Sequence, residues 1–269
     1  MASIVLKDVS VDIPIYDVSS TSLRKMMLSR AVGGRFAQAG SHVIVSALKN
    51  MSFEAQHGDR VGLVGHNGSG KSTLLRVLSE VYPPTKGTVR IEGRISPMFE
   101  TTLGMSMDAT GWDNIRICGR LWGLTRSQVE DSIADIVEFT ELGDYLSVPV
   151  RTYSNGMMLR LAFAIATVRA PDIMLIDEVI GVGDARFYEK AFARLCGIVE
   201  RSSILFVASH AEDILRQLCN KAIWLQAGTM MAYGEVNEVI AAYQVARAAH
   251  DPQNPAANPG FAAPAVAQG

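Results

Sequence analysis

Eight contiguous residues, GHNGSGKS from Gly65 to Ser72, constrain the fold of this chain more than any other stretch. They fit GxxxxGK[ST], follow a short apolar run (RVGLV, 60–64) and precede a segment with apolar residues at 74, 75, 78 and 81. A glycine-rich turn between a buried strand and a helix N-terminus aims several backbone N–H groups at one point. The helix dipole adds to their pull on anionic oxygens. The pattern predicts Lys71 on the β and γ phosphates of a nucleotide and the Ser72 hydroxyl on Mg²⁺. A glycine-rich turn before an ordinary helix looks the same at this level, so the rest of the chain has to decide.

Periodicity outside the loop predicts an α/β fold. Residues 3–13 alternate as a strand, and 17–42 read as a loop insertion carrying a short amphipathic helix around LRKMMLSRAV. HVIVSALKNMSFEAQHGD predicts two short strands closed by a turn at Gly58-Asp59. A helix is expected over 71–81, broken by Pro83-Pro84, and strand character returns over 87–96. Residues 108–145 are helical in pattern, with a cap at Thr125 or Ser127 and a stop at Gly143. Helices at 155–168, 186–200 and 211–218 then alternate with strands at 173–176 and 204–208, before a hairpin turning at Gly228. Alternating strands and helices imply a mostly parallel core sheet, and the early strands an antiparallel element beside it. The expected division is one nucleotide-binding domain over 1–246, with a helical subdomain at about 105–168. From 247 to 269 an Ala/Pro-rich tail is expected to be disordered, since four of the ten prolines fall in its last 18 residues.

Composition excludes several classes. With 269 residues, 48% hydrophobic and 19% charged, the chain suits one large core. A formal net charge of −2 offers no global field for nucleic acid, so none is expected as a partner. Cys118, Cys196 and Cys219 are scattered without zinc-ligand spacing and read as small apolar residues in a reducing compartment. No apolar stretch reaches the roughly 18 residues needed to span a bilayer, and the N-terminus lacks the pattern of a signal peptide. A peripheral position on the cytoplasmic face of the inner membrane, through a partner, is the expected location.

Three further segments carry chemistry. IMLIDE (173–178) is a buried strand with two carboxylates at its C-terminal end, where open α/β sheets bind ligands. Asp177 is placed to hold Mg²⁺, and Glu178 to act as general base toward the attacking water. In YSNGM (153–157), Ser154 is placed to N-cap the following helix, which makes a second anion site. His210 follows the buried strand ILFVA.

In order and approximate spacing, these segments resemble the ATP-binding cassette (ABC) ATPase family, whose LSGGQ signature stands here as Tyr153-Ser154-Asn155-Gly156-Met157. The resemblance implies a nucleotide held by Gly65, His66, Asn67, Gly68, Ser69, Gly70, Lys71, Ser72 and Thr73, with catalysis by Lys71, Glu178 and His210. It implies that Ser154, Asn155 and Gly156 touch the γ-phosphate bound to an opposing subunit, so that one chain holds half of each site. Asp184 matches the loop that crosses the dimer interface, or N-caps the helix after it, or does both. Tyr16 is the candidate for stacking on adenine, with a surface turn as the alternative. Glu100 stands where the family has a glutamine linking the γ-phosphate to the membrane domain.

FxExxLG at that position, RTYSNGMMLRLAFAIAT and DEVIGVGDARFYEK resemble the ATPase subunits of polysaccharide exporters of the O-antigen, capsule and teichoic-acid type. This implies ATP and Mg²⁺, a second cassette (by default a homodimer), an integral membrane permease, and a polysaccharide handled by that permease. Some members carry a C-terminal carbohydrate-binding domain, which this chain is expected to lack. Trp112 and Trp122, within 105–150, belong either to a permease-facing groove or to the core. A soluble cassette ATPase without a transport role and a non-hydrolysing binding module are the competing classes. The intact Lys71, Asp177, Glu178 and His210 speak against the second.

Overall fold

The computed structural model describes residues 2–15, 36–39, 42–98, 104–177 and 185–249. Two sheets organise the chain. The first is antiparallel, built from β1 (Ser3–Ile15), β2 (Phe36–Ala39), β3 (His42–Gln56) and β5 (Lys86–Glu92) in the order β2-β3-β1-β5. The second holds β4 (Arg60–Val64), β6 (Ile95–Pro97), β7 (Ile173–Asp177), β8 (Ile204–Ala208), β9 (Lys221–Gln226) and β10 (Thr229–Glu235). Its order is β10-β9-β4-β8-β7-β6, and every pairing except the terminal β9–β10 hairpin is parallel.

The parallel strands are buried on both faces, which is why they read as continuous apolar runs. Along β7 and β8, Ile173, Leu175, Ile204 and Phe206 join a core shared with the antiparallel sheet and with α1 (Lys71–Leu78). Their alternate neighbours Met174, Ile176, Leu205 and Val207 join a second core on the other face. That core is closed by α2 (Gly111–Leu121), α3 (Arg126–Thr140) and α4 (Asn155–Ala166), together with α5 (Ala185–Arg201), α6 (Glu212–Leu218) and α7 (Val236–Ala249). Each fully buried Leu or Ile contributes roughly 1.5–3 kcal/mol, so a charge at any of these strand positions would be strongly destabilising.

Several boundaries depart from the sequence expectation. The predicted pair of strands over 42–57 is one long β3, which absorbs an irregularity opposite β1 at Asn50. Asn50 takes φ +46 there, and its backbone N–H donates to Ser10 Oγ at 3.0 Å. Residues 36–39, expected as loop, pair with β3 as the edge strand β2; the amphipathic piece before them lies outside the described residues. The strand expected over 87–96 is two strands in different sheets. Between them Gly93 takes φ +123, and the chain crosses over as Arg94 N–H donates to Asp172 Oδ2 at 2.8 Å.

Helix α1 stops at Leu78, ahead of the two prolines, because Glu80 turns left-handed (φ +60) and the N–H groups of Val81 and Tyr82 both return to the Arg76 carbonyl. Helix α3 ends not at Gly143 but at Glu141 (φ +55), where Lys190 Nζ donates to Glu138 O at 3.0 Å and to Glu141 Oε1 at 2.7 Å. Of the two expected caps for α3, Thr125 is the one used, in a reciprocal box with Gln128. Helix α7 has no counterpart among the expected elements. It runs to Ala249, past the expected tail boundary at 247, and the remainder of that tail lies outside the described residues. Among the described residues, no helix is long and apolar enough to cross a membrane.

Candidate functional site

The phosphate-type loop starts where β4 leaves the sheet. Gly65 has φ +149, and a Cβ there would sit 2.3 Å from the Leu225 carbonyl and 2.6 Å from Ser69 Oγ. The loop is pressed against β9 and its own second half, with no room for a side chain. Gly70, at φ +117, is the N-cap of α1 and offers no side chain to its N-terminus. With no capping side chain, the α1 N-terminus has the form in which backbone N–H groups meet an anion. Further backbone bonds tie the loop down: Ser69 N–H to His66 O at 3.0 Å, and Gly228 N–H to Ser69 O at 2.8 Å.

Lys71 is buried at 8% exposure, and its Nζ donates to the carbonyls of Gly65 (2.8 Å) and His66 (3.3 Å). Those bonds hold the ammonium across the mouth of the loop. The Ser69 hydroxyl is fully buried and finds no hydrogen-bond partner among the described residues. His66, Asn67 and Gly68 stand exposed at the loop tip, where His66 Nδ1 lies 2.7 Å from the Asn67 carbonyl oxygen.

A cavity of about 370 Å³ opens over the loop. It is lined by Asn67, Gly68, Gly70, Lys71, Ser72 and Thr73, and also by Asp177, His210, Ile13, Val45 and Ala47. Asp177 arrives at the C-terminal end of β7, and His210 two residues beyond β8, next to Ser209, whose Oγ accepts from Ala211 N–H at 3.1 Å. Strand order explains the meeting. β8 lies between β4 and β7, so the ends of all three open onto one edge of the sheet. Residues more than a hundred positions apart thus share one wall.

The opposite wall is apolar. Ile13 of β1 and Val45 of β3 are register partners, and Ala47 follows two places along the same face of β3. Sequence reasoning missed these three. The signal was present as alternation in β1 and β3, but nothing in it distinguished the cavity wall from ordinary sheet surface. The cavity therefore pairs an anion-binding end with an apolar slot, a layout suited to a nucleotide's phosphates and base.

Among the remaining predicted residues, Ser154 caps α4 and accepts from Met157 N–H at 3.2 Å. Ser154 and Asn155 are exposed, and neither they nor Gly156 line the cavity that holds Lys71. Tyr153 donates to the Tyr145 carbonyl at 2.7 Å, and its burial raises the phenol pKa. Tyr16, Glu100, Glu178 and Asp184 lie outside the described residues. Trp112 and Trp122 are both half-buried against the helical core. Trp112 Nε1 donates to Ser147 Oγ at 3.3 Å, whereas Trp122 joins Val81, Leu121, Ile95, Pro97 and Pro171 around a second, largely apolar cavity of about 710 Å³.

Comparison with known proteins adds an independent line. The family model described as "ABC transporter" matches residues 48–181. The O-antigen export system ATP-binding protein RfbE of Yersinia enterocolitica is 43% identical over 241 residues, covering 89% of this chain and the whole of that protein. The O-antigen export system ATP-binding protein RfbB of Myxococcus xanthus is 35% identical over 271 residues, and the match spans 61% of that longer protein. A solved dimeric ATP-binding cassette, captured in a post-hydrolysis state with ADP and Pi, superimposes with a TM-score of 0.64 at 20% identity. The superposition covers 87% of this chain and 98% of that one.

Proposed function

Since the chain belongs to the ABC transporter family as an ATPase subunit, we propose that it powers export of a lipid-linked cell-surface polysaccharide such as O-antigen across the inner membrane. The observation that carries the nucleotide part is the cavity joining Lys71, Ser72, Asp177 and His210. The export part is supported by the named role of the relative that is 43% identical along its full length.

In this reading the α1 N-terminus and the Gly65–Thr73 backbone hold the phosphates, and Lys71 neutralises charge on the β and γ groups. Ile13, Val45 and Ala47 cover the base, with Tyr16 as the stacking ring. Among the described residues no three His, Cys, Asp or Glu side chains gather into a metal cluster. Ser72 and Asp177 would hold Mg²⁺ in company with phosphate oxygens and water, which suits that ion. When bound, the ion would offset charge building on the β–γ bridging oxygen. Glu178, one residue beyond β7, accepts the proton of the attacking water, and His210 orients that water against the γ-phosphate.

Ser154, Asn155 and Gly156 complete the site of a second copy, and Asp184 lies between the two. Closure of the pair on two nucleotides moves the permease, and hydrolysis resets it. Glu100 contacts water or the ion where the family has glutamine. The apolar cavity around Leu121 and Trp122 is the docking place for the permease, and binding there puts the chain on the cytoplasmic face of the membrane.

The decisive experiment reconstitutes the full chain with its membrane permease in inverted vesicles and measures transfer of lipid-linked polysaccharide on adding MgATP. Transfer that stops in Glu178→Gln is expected. ATP-dependent uptake of a solute delivered by a binding protein, with no polysaccharide transfer, would overturn the assignment. Hydrolysis by Glu178→Gln at the wild-type rate would remove Glu178 from its role.

A further inference from the structure

A second set of contacts joins the helical part of the chain to α5, and none of its members touches the cavity over the phosphate loop. Arg160, on α4, holds its guanidinium carbon 4.5 Å from the centroid of the Phe187 ring. Phe187 is buried at 3% exposure in the first turn of α5, just after the segment 178–184 that contains the candidate base. Phe187 also meets Phe139 of α3 edge-on, with centroids 5.2 Å apart. The Phe139 ring is approached by Lys190 Nζ at 5.3 Å and by the Arg194 guanidinium at 4.5 Å. Arg194 is anchored by two bonds to the Asp135 carboxylate (2.9 and 2.5 Å) and one to Thr167 Oγ1 (2.8 Å).

Phe187, Lys190 and Arg194 recur at helical spacing, so one stripe of α5 grips α3 and α4 at three levels. Ordinary core packing needs no cations over buried rings. Each such pair is attractive only at the right distance and over the ring face. The contact is therefore sensitive to relative position in a way that aliphatic packing is not. Arg160 stands six residues along α4 from Ser154, roughly 9 Å at 1.5 Å per residue. One short rigid helix thus connects the exposed signature to the turn that follows residues 178–184.

We propose that the Arg160–Phe187 contact is a positioning device coupling the two halves of the hydrolytic cycle. Engagement of Ser154 by the nucleotide on a second copy shifts α4, and Arg160 carries that shift through Phe187 to the segment bearing Glu178 and Asp184. Each chain hydrolyses its own nucleotide only when its signature is occupied. This rests on the proposed role of Ser154 toward a second copy, and Arg160 and Phe187 are positioning residues, not catalytic ones.

The test uses the full chain and compares Arg160→Gln, Phe187→Leu, their double variant and Arg160→Lys. Measured for each are kcat, the Kd of MgATP, the Hill coefficient for hydrolysis and the thermal midpoint. Coupling predicts that either single change lowers kcat about tenfold while Kd stays within about twofold, and that the Hill coefficient falls toward one. The double variant should be no worse than either single, and Arg160→Lys should restore most of the rate. Strictly additive losses, kcat losses that merely follow the thermal midpoint, or unchanged kcat would each overturn the proposal. Ser154→Ala separates the premise from the inference. If it hydrolyses ATP normally and cooperatively, the reading of Ser154 fails, whatever Arg160 and Phe187 do.

Discussion

Alanine at Gly65 sets two separate costs against the fold. The backbone there has φ +149, a region that residues with a Cβ occupy at about 1–3 kcal/mol. The new methyl would also sit 2.3 Å from the Leu225 carbonyl and 2.6 Å from Ser69 Oγ. Overpacking of this kind costs about 1–3 kcal/mol, with the upper end expected because Leu225 contributes backbone and belongs to a strand paired on both sides. The sum is about 2–6 kcal/mol, and at about 2–4 °C per kcal/mol for a domain of this size the thermal midpoint should fall by roughly 5–20 °C. Gly123 provides the control. It has φ +80, and a Cβ added there would meet nothing within 4 Å, so Gly123→Ala carries the conformational cost alone, about 1–2 kcal/mol. Urea midpoints and thermal scans on both variants would measure the difference. A Gly65→Ala protein as stable as Gly123→Ala would refute the close-approach argument. Rescue by an added Ser69→Ala, beyond what that change gains in the wild-type background, would show that the hydroxyl, and not the Leu225 carbonyl, is the obstacle.

Lys71→Met removes the donor shared by the Gly65 and His66 carbonyls. It should cost about 1–3 kcal/mol in urea unfolding and lower phosphate release about a hundredfold or more. Ser69→Ala replaces a buried hydroxyl that has no partner among the described residues, so the unfolding free energy should rise by about 1 kcal/mol, read as a higher urea midpoint at unchanged slope. Thr125→Ala deletes one side of the capping box on α3 and should cost about 1 kcal/mol with little effect on ATP hydrolysis. Burial pushes the Cys118 and Cys219 thiols up to about 11 and about 12. At pH 8 neither carries appreciable thiolate, so iodoacetamide followed by mass spectrometry should leave both unmodified in the folded chain and alkylate both in urea.

Much of the architecture was legible because its signals are local. β4, β7 and β8 are short runs buried on both faces, so an apolar stretch bounded by polar residues was enough to locate them. Ser154 announced the start of α4, since a cap needs only a hydroxyl and a neighbouring N–H. Illegible features depended on contacts elsewhere in the chain. The strand pattern over 87–96 runs on without a break, and only the pairing of Lys86–Glu92 with β1 and of Ile95–Pro97 with β7 divides it between two sheets. Glu141 has no intrinsic preference for a left-handed turn. It ends α3 where Lys190, from a distant helix, takes the Glu138 carbonyl and the Glu141 carboxylate together.

The loop from Gly65 to Ser72 marks the same division. By itself the sequence marked it as a candidate phosphate loop, because turn, helix start, lysine and hydroxyl all lie within eight consecutive residues and need no distant partner. Only the tertiary structure decided what faces the loop. Asp177, His210 and the Ile13–Val45–Ala47 wall reach the same cavity because β8 inserts between β4 and β7 and because the antiparallel sheet packs over the parallel one. Strand order is set by the joint burial of many side chains, each worth a few kcal/mol. No single residue in the chain spells it out.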